Sequence, residues 1–385
     1  MQELWDVLVV GAGPAGGLAA LDCARRGLRV LLVEKRAFPR WKVCGCCFNK
    51  QAQATLASLG QNDLIVDRGG VRLQTLRLGL NGRQTSLAIP DGFALSRERF
   101  DQALMNAVIE AGASVRCQMS AGVEEVQPGW RIVRLKDQRS GQQNHVRARV
   151  VLIAAGLAQR CLPEQDAGIT RIRSRSRVGA GCVLADDENH YTAGAIHMAI
   201  GERGYVGLVR REDGLLNLAA AFDRQALAHG QGAAGATHEV LMQAGFPPPA
   251  ALNQGRWQLT PALSRGAEVV AGERFLVMGD AAGYVEPFTG EGMAWALTAG
   301  AAAAPFVQEG LRRWSHDLEK RWKRELNLRI GRRQQICRTL AMVLKQPKPT
   351  SALFELSKRW PALSERVIAS LNHVSLPPSG SQQCL

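Results

Sequence analysis

The chain has 385 residues, 46% hydrophobic and 21% charged. That is ordinary globular composition with apolar mass for more than one core, and the 40 glycines form no collagen-like period. Forty-eight Lys and Arg against 34 Asp and Glu give a net charge of +14, open to three readings: a solvated basic surface, attraction of anionic small molecules, or contact with an acidic protein or an anionic membrane face.

No nucleic-acid-binding module is recognisable, and no window approaches the ~20 apolar residues of a membrane span. Nine cysteines, three of them packed into Cys44, Cys46 and Cys47, show no paired zinc-type spacing, so no metal site is expected. Their scatter through a large chain suggests a reduced, cytoplasmic protein. The N-terminus, with Glu3 and Asp6, does not read as a signal peptide.

Residues 4–10 (LWDVLVV) form an apolar, β-branched run ending at Gly11, the pattern of a buried parallel strand. A helix over 14–26 and a second buried strand over 28–34 complete a βαβ unit. Residues 35–50 are irregular and cysteine-rich, with a helix near 51–59. Short strands are expected over 71–89, and a helix over 97–111 with Phe100, Leu104, Ala107 and Val108 on one face. Strands follow over 113–153 with a tip at Ser140–Gly141, then a buried strand over 148–156. Residues 174–223 change to an antiparallel pattern, a sheet outside the first domain. A helix over 236–245 ends before Pro247–Pro249. A buried strand returns over 273–283, followed by a helix from Gly292 to Ala304. Beyond 310 the chain is helical and strongly basic, read as an amphipathic helix pair packed on the body with a solvated basic face. The last stretch, 376–385, reads as a loose tail.

Gly11, Gly13 and Gly16 form GxGxxG between the first strand and helix, followed by Pro14 and Ala15. Gly11 suits a tight turn, Gly13 the approach of a pyrophosphate, and Gly16 close helix–strand packing. Phosphates would then sit at the helix N-terminus. Glu34, at the end of the second strand, suits the hydroxyls of an adenosine ribose. Up to this point NAD and FAD fit equally. The distant segment MGDAAGYVEPFTGEGMAWAL at 278–297 resembles the second flavin fingerprint of the glutathione-reductase-type FAD fold.

With GAGPAG at 11–16, EKRAFPRWKVCG at 34–45, LSRERFDQAL at 95–104, GYVGLVRREDG at 204–214 and GDAAGYVEPFTGEGM at 279–293, the chain resembles geranylgeranyl-reductase-like FAD-dependent oxidoreductases. Aromatic hydroxylases, flavin-dependent halogenases and lycopene cyclases belong to the same clan. The resemblance implies an α/β chain, α+β overall. It has a Rossmann-like FAD-binding domain (1–70, 90–168 and 264–310), an inserted antiparallel-sheet substrate domain (71–89 and 169–263) and basic C-terminal helices (311–385).

The resemblance also implies site residues. Asp280 would hold the ribityl chain, and Arg97 would contact FAD from a helix start. Val123 would touch the adenine side through its backbone. Lys35, Lys42, Cys44 and Gly45 belong to the segment reaching the isoalloxazine, and Gly290, Gly292 and Met293 to the turn at the flavin ring. There are two departures. The clan's Asp–Gly pair after the third Rossmann strand is Ala154–Ala155–Gly156 here, which leaves NADPH or NADH as electron donor in doubt. The halogenase motif WxWxIP is missing, which argues against a halogenase.

CGCC at 44–47 lies where the family places residues over the flavin. Cys44, Cys46 or Cys47 could shape the cavity, relay a proton, link to flavin or form a disulfide; alternatively, small residues simply fit a tight turn. Glu286 and Glu291 flank the flavin turn as general acid–base candidates, with Glu291 also readable as a turn partner. His197 and Tyr205 lie on the substrate sheet and read foremost as packing residues. The leading expectation is a flavin reductase or dehydrogenase for an apolar organic substrate. The alternatives are a flavin monooxygenase, or a flavoprotein that matures or docks on a partner through its basic C-terminal helices, with Arg332 and Arg333 as the surface charges. A membrane-surface association through the same helices is a further reading.

Overall fold

A computed structural model describes residues 3–157, 161–168, 170–186, 189–228, 232–286 and 288–371. Pro287 and the 376–385 tail, with Cys384, lie outside the described residues.

In the first strand, Leu4–Val10, Val7, Leu8 and Val9 have no exposed surface, which is possible only in a sheet covered on both faces. The strand runs parallel to Val30–Glu34 on one side and to Gln143–Ile153 on the other. Phe275–Val277 and Ser114–Cys117 extend this parallel core outward. Met119–Gln127 and Trp130–Asp137 join it as antiparallel ribbons. Helices Pro14–Arg25 and Arg97–Glu110 follow as the periodicity predicts. The turn after Leu4–Val10 and the end of Val30–Glu34 share one edge of the sheet, the crevice where open α/β sheets bind ligands.

The second sheet has eight strands: Gln258–Ala262, Val178–Leu184, Leu216–Phe222, Gly204–Arg210, Ala195–Gly201, Val71–Leu80, Arg83–Ala94 and Cys47–Phe48, in that spatial order. It reaches beyond the expected 71–89 and 169–263, and residues 71–94 form one long hairpin rather than several short strands. Period-two alternation sorts its side chains. Ile196, Met198, Ile200, Tyr205 and Val209 face a cavity. Ala199, Val206 and Leu208 pack with Val240 and Leu241 of the helix Gly232–Ala244.

The helix expected from Gly292 to Ala304 is two helices, Gly292–Ala301 and Ala303–Arg312. Pro305 has no N–H to give the carbonyl of Ala301, so the ladder breaks there. The expected limit at 310 therefore falls inside a helix. The expected C-terminal pair is a run of four helices, His316–Leu326, Arg332–Val343, Pro347–Arg359 and Pro361–Leu371, with a π-helical turn over Asn327–Gly331. Fully buried Trp322 anchors the first by donating its indole N–H to the Val277 carbonyl at 3.1 Å. The last two lie on the strand Arg83–Ala94, where Arg83 pairs with Glu355 and the Ala88 N–H donates to Glu365 at 2.8 Å. No helix among the described residues is long and apolar enough to cross a membrane.

Candidate active site

The three motif glycines serve different ends. Gly11 holds φ at +101°, and a Cβ there would lie 2.5 Å from the Ala154 carbonyl oxygen; at Gly16 it would lie 1.9 Å from that of Gly11. Both positions are closed by backbone. Gly13 is open: the nearest atoms to an added Cβ are guanidinium nitrogens, Arg97 Nη2 at 3.7 Å and Arg40 Nη2 at 4.0 Å. Helix Pro14–Arg25 starts there, with Pro14 in its first turn, no side-chain cap and no acidic residue in that turn. Its free N–H groups and positive end are left for an anion.

Buried Asp101 sets the two guanidiniums side by side. It accepts from Arg97 at 2.9 and 2.7 Å and pairs with Arg40 at 3.0 Å. Arg40 also donates to the Ala12 carbonyl at 3.1 Å and approaches Glu34 at 3.3 Å. Glu34 accepts from the N–H groups of Ala12 and Arg36, each at 3.0 Å. A carboxylate for ribose and a paired cation for pyrophosphate thus stand on either side of the glycine turn.

Across the cavity Asp280 lies on the 3₁₀ turn Gly279–Ala282. Burial pushes its carboxyl pKa up, against the pull of Lys42 and Arg97. Lys42 lines the cavity and exposes its side chain there. Desolvation lowers its pKa, helped by Arg97 and Arg40. Its Nζ is 3.3 Å from where a Gly156 Cβ would stand, so a lysine neighbours the Ala–Ala–Gly that replaces Asp–Gly. A second helix N-terminus, of Gly292–Ala301, enters beside Gly290, which holds φ at +74°. Gly300 lets that helix lie backbone to backbone on Pro14–Arg25, since a Cβ there would be 2.4 Å from the Ala15 carbonyl oxygen.

The CGCC turn bridges cradle and substrate sheet. Cys46 sits at φ +57°, an uncommon region for a residue with a side chain. Buried Asn217, on Leu216–Phe222, clamps it: its Nδ2 donates to the Cys44 carbonyl at 2.9 Å and its Oδ1 accepts from Cys46 Sγ at 3.5 Å. The Cys46 N–H points at Cys44 Sγ, 3.4 Å away. That thiol's pKa is lowered to about 6, chiefly by the Cys46 hydrogen bond and then by Arg97. Cys46 is pushed well up by its hydrogen bond with Cys44 and by burial, and burial pushes Cys47 up to about 12. All cysteines among the described residues are free thiols.

These parts line one cavity of about 1050 Å³ that continues from the glycine turn, past Cys44, between the second sheet and the C-terminal helices. Its far walls are apolar: Leu78, Met198 and Ile200 on the sheet, Leu340, Leu344 and Phe354 on the helices.

The sequence profile of the FAD binding domain family matches residues 5–305. The chain belongs to that family. Among curated relatives, it is 27% identical over 332 residues to digeranylgeranylglycerophospholipid reductase of Methanosarcina acetivorans, covering 83% of this chain and 79% of the relative. It is 27% identical over 370 residues to menaquinone reductase of Mycobacterium tuberculosis, covering 89% and 85%. In fold it is similar to p-nitrophenol 4-monooxygenase of Pseudomonas putida, with a TM-score of 0.78, 17% identity and coverage of 98% and 100%. A flavoprotein/dehydrogenase of Cytophaga hutchinsonii gives 0.77 at 17% identity, with coverage of 96% and 93%.

The chain is an FAD-dependent oxidoreductase. The cradle fits the cofactor it implies: an open Gly13 before paired guanidiniums, a carboxylate at the ribose end, and two helix N-termini facing one void. Of the residues singled out from sequence, Gly13, Pro14, Ala15, Lys42, Cys44, Gly45, Cys46, Cys47, Arg97, Asp280, Gly290, Glu291, Gly292 and Met293 line that void. Gly11, Gly16 and Glu34 shape its base.

Others fall elsewhere. Lys35 is exposed and outside the lining. Val123 spends its N–H on the Cys161 carbonyl at 2.6 Å and lines a separate hollow. Glu286 is outside the lining and fully buried in an ion pair with Arg177 at 3.1 Å. Glu291 reaches the wall, but its carboxylate accepts from Arg333 at 3.3 Å and Cys337 at 3.4 Å. Burial raises its pKa and Arg333 lowers it. Arg333 therefore pins a helix inward rather than offering a surface charge. His197 packs edge-on against Tyr191 and Phe246 on the far side of the sheet, while Tyr205 faces the cavity against Phe288.

Arg40, Asp101 and Asn217 were not singled out. The i,i+4 spacing of Arg97 and Asp101 and a lone Asn in the apolar run LLNLAAAF were the available signals. Asn217→Ala leaves a strained turn unclamped and buried polar groups unpaired. The expected loss is about 1–3 kcal/mol of stability, read by thermal unfolding, with a shifted flavin absorption band.

Proposed function

We propose that this chain is a reductase that adds hydrogen across a carbon–carbon double bond of a long, apolar organic substrate. The continuous cavity carries this reading: its volume of about 1050 Å³ is shared between the cofactor cradle and a passage beyond Cys44, and the walls of that passage are predominantly apolar. Such walls reward burial of an aliphatic chain, and polar side chains among them, such as Tyr205, Thr260 and Thr339, are uncharged. The names of the two curated relatives put lipid-sized apolar molecules, menaquinone and a digeranylgeranylglycerophospholipid, with reductases of this family.

FAD held in this cradle would, when reduced, supply the hydride for one carbon of the double bond. The chain then has to position that bond, exclude water and provide one proton for the second carbon. Tyr205, Phe288 and Met198 line the passage together with side chains of the C-terminal helices. Cys44, between cradle and apolar passage, holds a thiol that exchanges its proton near pH 6 and is the proton donor in this reading.

Protein reduced with dithionite without oxygen is mixed with a polyprenyl alcohol, whose only reducible bonds are its carbon–carbon double bonds. The expected result is return of the oxidised flavin spectrum with one equivalent of a product two hydrogens heavier. A hydroxylated product on admitting oxygen, with no hydrogenated one, would overturn the reading in favour of a monooxygenase.

A further inference from the structure

The cavity opens among side chains that belong inside a protein. Leu259, Ile336, Leu353, Leu356, Leu363 and Val367 all line it, yet each is between 36% and 59% exposed. Trp360, 53% exposed, stands at the bend between helices Pro347–Arg359 and Pro361–Leu371 with the Arg359 guanidinium over its ring at 5.7 Å. Exposed apolar groups scattered singly need no explanation, but a contiguous set around an opening marks an interaction surface.

The charge around that opening is one-sided. Apart from Arg333, which pairs with Glu291, residues 332–371 carry seven Lys and Arg against two Glu. Both carboxylates are engaged with the strand beneath, Glu355 with Arg83 and Glu365 with the Ala88 N–H. Lys348, Lys358, Arg359 and Arg366 are exposed on the same two helices. Apolar side chains at a rim, an indole at the boundary and unbalanced cations beside them suit helices that lie in a lipid interface. A second copy of the chain fits less well, since both copies carry +14 and would bring like charges together.

We infer that the hairpin of helices Pro347–Leu371 seats the cavity mouth on an anionic phospholipid surface, so that an apolar solute enters from the bilayer without crossing water. The inference concerns access and stands whichever bond the flavin reduces.

The test is flotation of FAD-loaded full-length protein with vesicles of phosphatidylcholine alone or with phosphatidylglycerol at about 3:1, the anionic composition that attracts basic segments. The protein is expected to float with the anionic vesicles at least tenfold more than with the neutral ones, and to be released by about 1 M salt, where screening is nearly complete. Lys358→Gln with Arg359→Gln is expected to lower partitioning on the order of 30-fold, at about 1 kcal/mol per cation. Trp360→Ser is expected to lower it as well. In all variants an unchanged flavin spectrum and melting temperature report an intact fold. No flotation of wild-type holoprotein, or equal flotation with neutral vesicles, would overturn the inference. So would a dimer in light scattering that Trp360→Ser dissociates while wild-type protein ignores vesicles.

Discussion

Gly13→Asp is expected to give a folded, colourless protein. Gly13 has φ near −83°, which any residue adopts, and an added Cβ meets only the two guanidinium ends at 3.7 and 4.0 Å. The new carboxylate would sit where the cradle expects phosphate, paired with Arg97 and Arg40. Like charge about 4 Å from a diphosphate at an effective dielectric of 20 costs about 4 kcal/mol, a loss of roughly 10³-fold in FAD affinity. Stability of the apoprotein should hold, because the same carboxylate relieves repulsion between the paired cations. Gly16→Ala is the contrasting change. Its Cβ would sit 1.9 Å from the Gly11 carbonyl oxygen, and backbone cannot yield, so the expected result is insoluble protein or a melting transition many degrees lower. Flavin absorbance per polypeptide and thermal unfolding of both variants check the pair. Full FAD occupancy in Gly13→Asp would mean that the pyrophosphate does not approach this turn.

The contrast between these glycines also shows what a sequence can disclose. A turn that needs positive φ, or a helix pressed onto a strand, leaves a mark at one position, so Gly11, Gly16 and the helix start were legible. Glu34 and Lys35 differ only by strand alternation: once Glu34 points into the crevice its neighbour must point out, which excludes Lys35 from the lining. The surroundings of Val123 were not legible: its N–H goes to Cys161, a partner nearly forty residues away that no local pattern reveals. The same holds for Glu291. Its spacing from the flavin turn was readable, but the Arg333 and Cys337 that occupy its carboxylate come from a helix whose docking is a tertiary event. The basic helices beyond 310 were recognisable as amphipathic. Their apolar face completes the cavity, and that could not be read until the sheet they cover was in place.

The CGCC turn sits at this boundary between local and non-local information, and Cys44 carries the second large expected effect. Cys44→Ala should retain FAD, since Gly13, Arg97, Glu34 and Asp280, the residues proposed to hold it, are untouched, yet lose about 10²–10⁴-fold in the rate of product formation, the usual worth of a positioned proton donor. The pH profile gives a sharper readout. The proton-bearing thiol is the active form. With its pKa lowered to about 6 by the Cys46 hydrogen bond and Arg97, the fraction in that form is high below pH 6 and falls tenfold per unit above it. Wild-type turnover at saturating substrate should decline along that limb, and Cys44→Ser should be slow and flat across it, because a serine hydroxyl does not ionise in this range. Asn217→Ala, which frees the Cys46 end of the turn, should move the limb toward the ordinary thiol value without abolishing it. A Cys44→Ala enzyme with wild-type turnover and an unchanged limb would remove Cys44 from the chemistry. Its place at the cavity wall would then be explained by size alone: a small side chain where the turn must pass close to flavin.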